Sequence, residues 1–175
     1  MAVFKLITNE FYKEPESVPK LINYVMDSQK TEDHYIGGNC ILPGSTIDDA
    51  ILQFQVVKNV WGKNEGVQFI HFIVSFSYEE NVEPKQAYIS AYHISTYFDG
   101  LYQVVYGVHQ DTENLHIHFL VNSVSYIDGR KIGFGRNDYW NLFSHIWHEV
   151  SSLRCRMGEA GKRIVKLIPT YGELC

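Results

Sequence analysis

Cysteine is scarce in this chain: three in 175 residues, at Cys40, Cys155 and Cys175, widely spaced and with no CxxC pair. An odd number at such spacing argues against a disulfide framework and against a cysteine zinc site. Long apolar runs are missing too. No stretch reaches the ~18 residues that a membrane span needs. The N-terminus, Met1-Ala2-Val3-Phe4-Lys5, lacks the charged start and extended apolar segment of a signal peptide. The chain therefore reads as cytoplasmic. Basic charge is also in deficit, with 15 Lys and Arg against 20 Asp and Glu, a formal net charge of −5. That balance argues against broad nucleic-acid binding, which draws on phosphate contacts from Lys and Arg. A local patch can coexist with an acidic total, and Arg154, Arg156, Lys162, Arg163 and Lys166 crowd the C-terminal end. A bound divalent cation would offset part of the deficit locally.

Hydrophobic residues make up 45% of the chain and aromatics 14%, which is too apolar for disorder and suits one domain spanning 1–175. That domain is either whole or cut from a longer protein. Twelve Tyr and ten Phe fit a β-rich core, and could also supply stacking surfaces for bases.

No repeat or low-complexity segment interrupts the pattern. Residues 3–8 read as a strand. In 17–26, apolar positions Val18, Leu21, Ile22 and Val25 have helical spacing, with Ser17 as the expected N-cap. Residues 30–45 read as a polar loop containing Gly37-Gly38-Asn39. Thr46 is placed to cap a second helix over 47–61, and Pro84 to open a third over 84–98. Strands are expected over 67–77, 101–109 and 115–126, the last two joined as an antiparallel hairpin. A short strand around 131–133 and a final helix over 137–154 complete the order. This is an α+β pattern: a central antiparallel sheet of about five strands, with helices packed mainly on one face.

Side chains alternate across a strand, so each strand divides into two faces. One face carries Ile70, Phe72, Val74 and Phe76, then Tyr102, Val104, Tyr106 and Val108, then Leu115, Ile117, Phe119 and Val121. The other carries His71, Ser75, His109, His116, His118 and Asn122. The apolar face is expected under the helices, and the polar face at least partly open.

His116-Ile117-His118 sets two imidazoles on one side of a strand, with Cβ atoms roughly 6.5–7 Å apart. Alone, such a pair is better read as two surface histidines on a half-exposed strand. His109 ends the preceding hairpin strand and can approach His116 across the turn. Three imidazoles and no cysteine point to one divalent metal ion in an open, catalytic site. Ligand softness favours Mn, Co, Ni or Zn, while a site completed by phosphate oxygens and water also works with Mg²⁺.

The run His109-Gln110-Asp111 through Leu115-His116-Ile117-His118-Phe119-Leu120-Val121-Asn122 resembles the third motif of plasmid relaxases of the mobilization-nuclease family, HxD followed after a short gap by HxHxxxN. His71-Phe72-Ile73-Val74-Ser75-Phe76, with Glu80 and Pro84 after it, resembles the second motif. Ile22-Asn23-Tyr24-Val25-Met26 through Lys30-Thr31 resembles the first, which carries a nucleophilic tyrosine. The resemblance spans roughly 20–135 and implies a histidine–hydrophobe–histidine (HUH) endonuclease fold. It also implies a metal on the scissile phosphate at an origin of transfer, with attack by Tyr24 leaving a 5′-phosphotyrosine and a free 3′-hydroxyl. Single-stranded origin DNA, accessory mobilization proteins and a conjugative coupling protein are the implied partners of a monomeric enzyme.

Tyr35 competes with Tyr24 from the following loop. Asp111 is a candidate general base or a partner that orients a ligand histidine, and is equally a plain hairpin-loop carboxylate. Ser75 could donate to a phosphate oxygen, and Asn122 could orient a group at the metal. Lys30 and Arg130 could contact phosphates. His71 is either a partner of a ligand histidine or a satisfied core histidine. Two alternatives stay open: a replication-initiator or transposase-type nuclease using Tyr139 on the last helix, and a non-catalytic module that binds single-stranded DNA around a structural metal.

Overall fold

Alternation of large apolar and polar residues builds the sheet, and the computed structural model describes it over residues 2–32, 35–156 and 168–170. The strands are β1 (Val3–Ile7), β2 (Ile36–Asn39), β3 (Phe69–Phe76), β4 (Val104–His109), β5 (Leu115–Asn122) and β6 (Ile168–Thr170). Their order is β2-β4-β5-β3-β1-β6. The pairings of β1 to β5 are antiparallel, as expected, and β6 joins β1 in parallel. The helices are α1 (Ser17–Val25), α2 (Ile47–Val60), α3 (Pro84–Ser95) and α4 (Arg136–Arg156). No helix among the described residues is long and apolar enough to cross a membrane.

The apolar face is the larger core. Phe4, Phe72, Val74, Tyr106, Ile117 and Phe119 pack beneath Ala87, Ala91 and Ile94 of α3 and Leu142, Ile146 and Val150 of α4. Phe72 and Phe119 are cross-strand partners whose rings stack with centroids 4.5 Å apart. Burying each such ring contributes about 2–3 kcal/mol, so this face dominates the stability of the sheet.

Helices also reach the other face. Val18, Ile22 and Val25 of α1 and Ala50 and Phe54 of α2 cover Phe69, Val105 and Leu120. The polar face is thus closed at the end carrying Phe69 and Leu120. It stays accessible near Ser75 and His116, both partly exposed.

Caps account for the helix starts. Thr46 and Asp49 form a reciprocal capping box on α2, as the sequence suggests. Pro84 lies in the first turn of α3. The N-cap of α1 is Glu16 rather than Ser17, whose hydroxyl donates instead to the Glu14 carbonyl at 2.6 Å.

Two further local expectations fail. Residues 36–39 are not loop but edge strand β2, with Gly37 opposite Tyr106 and Gly38 opposite Val105. A Cβ at Gly37 would run into the Tyr106 ring, so the glycine that reads as a loop residue is what admits the strand. The strand expected at 131–133 reduces to one isolated bridge, Val124 with Lys131.

Lys58 of α2 is buried and donates to the Gln68 carbonyl and to Ser123 Oγ, tying α2 to the ends of β3 and β5. Burial, helped by nearby Lys131, pulls its amine down to about 7. Unfolded, the amine keeps its ordinary value, so between about pH 7 and 10 the unfolded chain binds more protons and stability rises with pH. Thermal melts from pH 7 to 9 should show this upward slope in the wild type and a shallower one in Lys58→Met. Identical slopes in the two proteins would refute it.

Candidate active site

The hairpin β4–β5 sets the site. Its register pairs His109 with His116 and Gly107 with His118, which puts all three histidines on one face. Neighbouring β3 places Ser75 opposite His116. One ring nitrogen from each of His109, His116 and His118 lies within 4.8 Å of those from the other two.

Each ring has one nitrogen already engaged. His109 Nε2 donates to the Val25 carbonyl at 3.0 Å. His116 Nδ1 donates to the Asn114 carbonyl at 2.9 Å. A carbonyl only accepts, so these bonds fix both tautomers and leave lone pairs on His109 Nδ1 and His116 Nε2. His118 Nδ1 is 3.0 Å from His71 Nε2, leaving His118 Nε2 for the site. Among the described residues, the buried atoms His109 Nδ1 and His118 Nε2 have no hydrogen-bond partner. Buried polar atoms without partners are rare and costly, and a shared cation would satisfy these two. The donor set therefore fits a divalent metal.

The electrostatics agree. Burial, and then the neighbouring imidazoles His109, His71 and His116, push His118 down to about 2. Burial and His109 bring His71 down to about 4. Burial also lowers His109, against the opposing effect of its bond to Val25. These rings are neutral at physiological pH, the form in which imidazole binds metal.

Tyr24, in the last turn of α1, packs its ring against this group, with centroids 5.3 Å from His109 and 5.1 Å from His118. Its side of the site is open, the residue being 36% exposed. Lys30 Nζ sits 4.0 Å from the Tyr24 ring centroid and 3.6 Å from Asp111 Oδ2. Asp111 Oδ1 is 3.7 Å from His116 Nε2. Since that nitrogen carries the lone pair, Asp111 stands on the cation side of the ring; the Asn114 carbonyl is what orients His116.

The other candidates separate. His71 lies inside the cluster, bonded to His118 and, through Nδ1 at 2.7 Å, to Tyr12. Asn122 is fully buried at the far end of β5, about 20 Å along the strand from His116, and donates to the Phe54 carbonyl and Gln103. It holds α2 to the sheet and does not reach the histidines. Arg130 lies in the turn beyond that same end and pairs with Asp128 at 2.6 Å, so it too is removed from the group. Tyr35 packs on Tyr88 at the apolar face, and Tyr139 is buried there against Phe4, on the opposite side of the sheet from the histidines. The side chains of Arg154, Arg156, Lys162, Arg163 and Lys166 lie outside the described residues.

The sequence reading missed Tyr12 and Gly107. Nothing in the sequence marks Tyr12. Gly107 was detectable as a glycine amid large β-strand residues, a pattern that signals close backbone approach. Its missing Cβ is where the Val25 carbonyl oxygen lies.

A three-histidine group able to hold a metal lies on a β-hairpin, faced by a helix-borne tyrosine on the same side of the antiparallel sheet. Residues 24–149, more than half of the chain, match the family described as relaxase, MobA/VirD2-like, nuclease domain, and the chain belongs to that family. Protein TraI of Escherichia coli is 31% identical over 110 residues, covering 59% of this chain and 14% of TraI. The chain thus corresponds to a small part of that relative's length.

Proposed function

We propose that this domain nicks one DNA strand at an origin of transfer by tyrosine attack on a phosphodiester, in conjugative transfer or mobilization of a plasmid or transposon. The observation that carries this reading is the Tyr24 ring lying against His109 and His118. When bound by the three histidines, a divalent cation such as Mn²⁺ or Mg²⁺ would polarise the phosphoryl oxygen and stabilise developing charge. The Tyr24 oxygen forms a bond to phosphorus as the bond to the 3′-oxygen breaks. The products are a 5′-phosphotyrosine and a free 3′-hydroxyl. The phenolic proton passes to Asp111 or to water, and the departing 3′-oxygen takes one up. Lys30, held between the Tyr24 ring and Asp111, supplies positive charge for the incoming phosphate, and Ser75, opposite His116, a hydroxyl donor.

The ester bond kept in the adduct would allow later rejoining. Single-stranded origin DNA is the proposed substrate. Accessory mobilization proteins and a coupling protein are the proposed partners of a cytoplasmic monomer. The test uses a pool of 3′-end-labelled single-stranded oligonucleotides with Mn²⁺, run on a denaturing gel. A protease-sensitive band carrying label is expected, and it should vanish with EDTA. No such band, or one indifferent to EDTA, would refute the proposal.

A further inference from the structure

Tyr12 lies in the 3-10 turn Glu10–Lys13 between β1 and α1, buried against Phe69 with ring centroids 4.7 Å apart. Its hydroxyl is 2.7 Å from His71 Nδ1, and His71 Nε2 is 3.0 Å from His118 Nδ1. The three side chains form a line that starts in the core and ends at His118 Nε2, which has no hydrogen-bond partner among the described residues.

Two proton arrangements satisfy this line. In the first, Tyr12 donates to His71 Nδ1 and His71 Nε2–H donates to His118 Nδ1. His118 then carries its hydrogen on Nε2 and has no lone pair for a ligand. In the second, each imidazole hydrogen sits on the ring nitrogen nearer the core, and the Tyr12 hydroxyl keeps its own hydrogen but turns from donor to acceptor. His118 Nδ1–H donates to His71 Nε2, and His71 Nδ1–H donates to Tyr12 Oη. His118 Nε2 is then a free donor of its lone pair. Unlike His109 and His116, whose carbonyl partners allow one tautomer only, His118 faces a ring that accepts either.

We infer that Tyr12, acting through His71, is a positioning residue that holds His118 in the tautomer able to bind a cation. The inference rests on the reading that the three histidines hold one. Cation binding demands the second arrangement, which leaves His71 Nδ1–H buried and pointing at Tyr12. Without the Tyr12 oxygen that N–H has no acceptor, and a buried donor without a partner is costly. Without a cation, His71 can place its hydrogen on Nε2 and leave only a lone pair unpartnered at Nδ1, a smaller cost than an orphaned N–H. The difference therefore falls on the cation-bound state and reads out as affinity. Partners of this kind typically change metal affinity by about 10- to 100-fold.

The test is calorimetric titration of the purified protein with Co²⁺, together with the visible absorption of the bound ion. Tyr12→Phe keeps the ring and its packing while removing the acceptor. Its Co²⁺ affinity should fall about tenfold, at a temperature where both proteins are fully folded. His71→Gln offers an amide oxygen near the place of Nε2 and should stay within about threefold of wild type, whereas His71→Leu should lose 10- to 100-fold. A purely structural role for Tyr12 would lower the melting temperature and leave affinity and spectrum unchanged, and that result overturns the inference. Equal affinities for the Gln and Leu variants would overturn it as well. A wild-type protein that binds no Co²⁺, Mn²⁺ or Zn²⁺ would instead remove the underlying reading of the three histidines.

Discussion

Tyr24→Phe is expected to reduce covalent adduct formation to below detection while leaving cation affinity within about twofold of wild type. Phenylalanine keeps the ring that packs on His109 and His118 and lies under Lys30, and it removes only the oxygen proposed to attack. The residue is partly exposed, so the melting temperature should move by less than ~2 °C. Tyr35→Phe and Tyr139→Phe should form adduct normally, because both side chains sit at the other face of the sheet. An adduct that survives in Tyr24→Phe, or one lost only in Tyr139→Phe, would overturn the assignment of the nucleophile.

Gly107→Ala is expected to be the most damaging small substitution in the domain. An added Cβ would overlap the Val25 carbonyl oxygen, which cannot swing aside as a flexible side chain would. Relief requires lifting the C-terminal end of α1 off β4. Forcing atoms into a closely packed contact costs about 3 kcal/mol when backbone must shift, or roughly 10 °C in a domain of this size. The lift also lengthens the His109–Val25 hydrogen bond and carries Tyr24 away from the histidines. Cation affinity and adduct formation should therefore both fall, even at temperatures where the variant is folded. A melting temperature within 2 °C of wild type with unchanged Co²⁺ affinity would contradict this account.

Much of this arrangement is legible in the sequence alone. The alternation in 69–76, 104–109 and 115–122 separated the core face from the histidine face, because a strand has a period of two. The HxH pair with His109 across the hairpin fell together for the same reason. Partnerships made by backbone were not legible. Strand β2 was hidden because Gly37 and Gly38 carry no side chain to show alternation; the Tyr106 ring explains the first, and Ile41 with the Val104 carbonyl the second. Asn122 shares a face with His118, and alternation says nothing of distance along the strand. Burial of Lys58 and Tyr12 could not be anticipated, since both depend on where a helix or turn from another part of the chain comes to rest.

The Val25 carbonyl joins two functions in one peptide group. It belongs to the helix that carries Tyr24, accepts from the ring of His109, and lies against a bare glycine in β4. The proposed nucleophile and the proposed cation ligand are thereby set at a fixed spacing by one peptide group. The consequence concerns exchange of parts between relatives. Transplanting the 17–26 segment alone would bring in a tyrosine without the glycine that seats it or the imidazole that its carbonyl orients. The smallest transferable unit is discontinuous, pairing the end of α1 with the β4–β5 hairpin. Hybrids that divide these two should assemble a sheet yet lose the register between the Tyr24 oxygen and the three histidines.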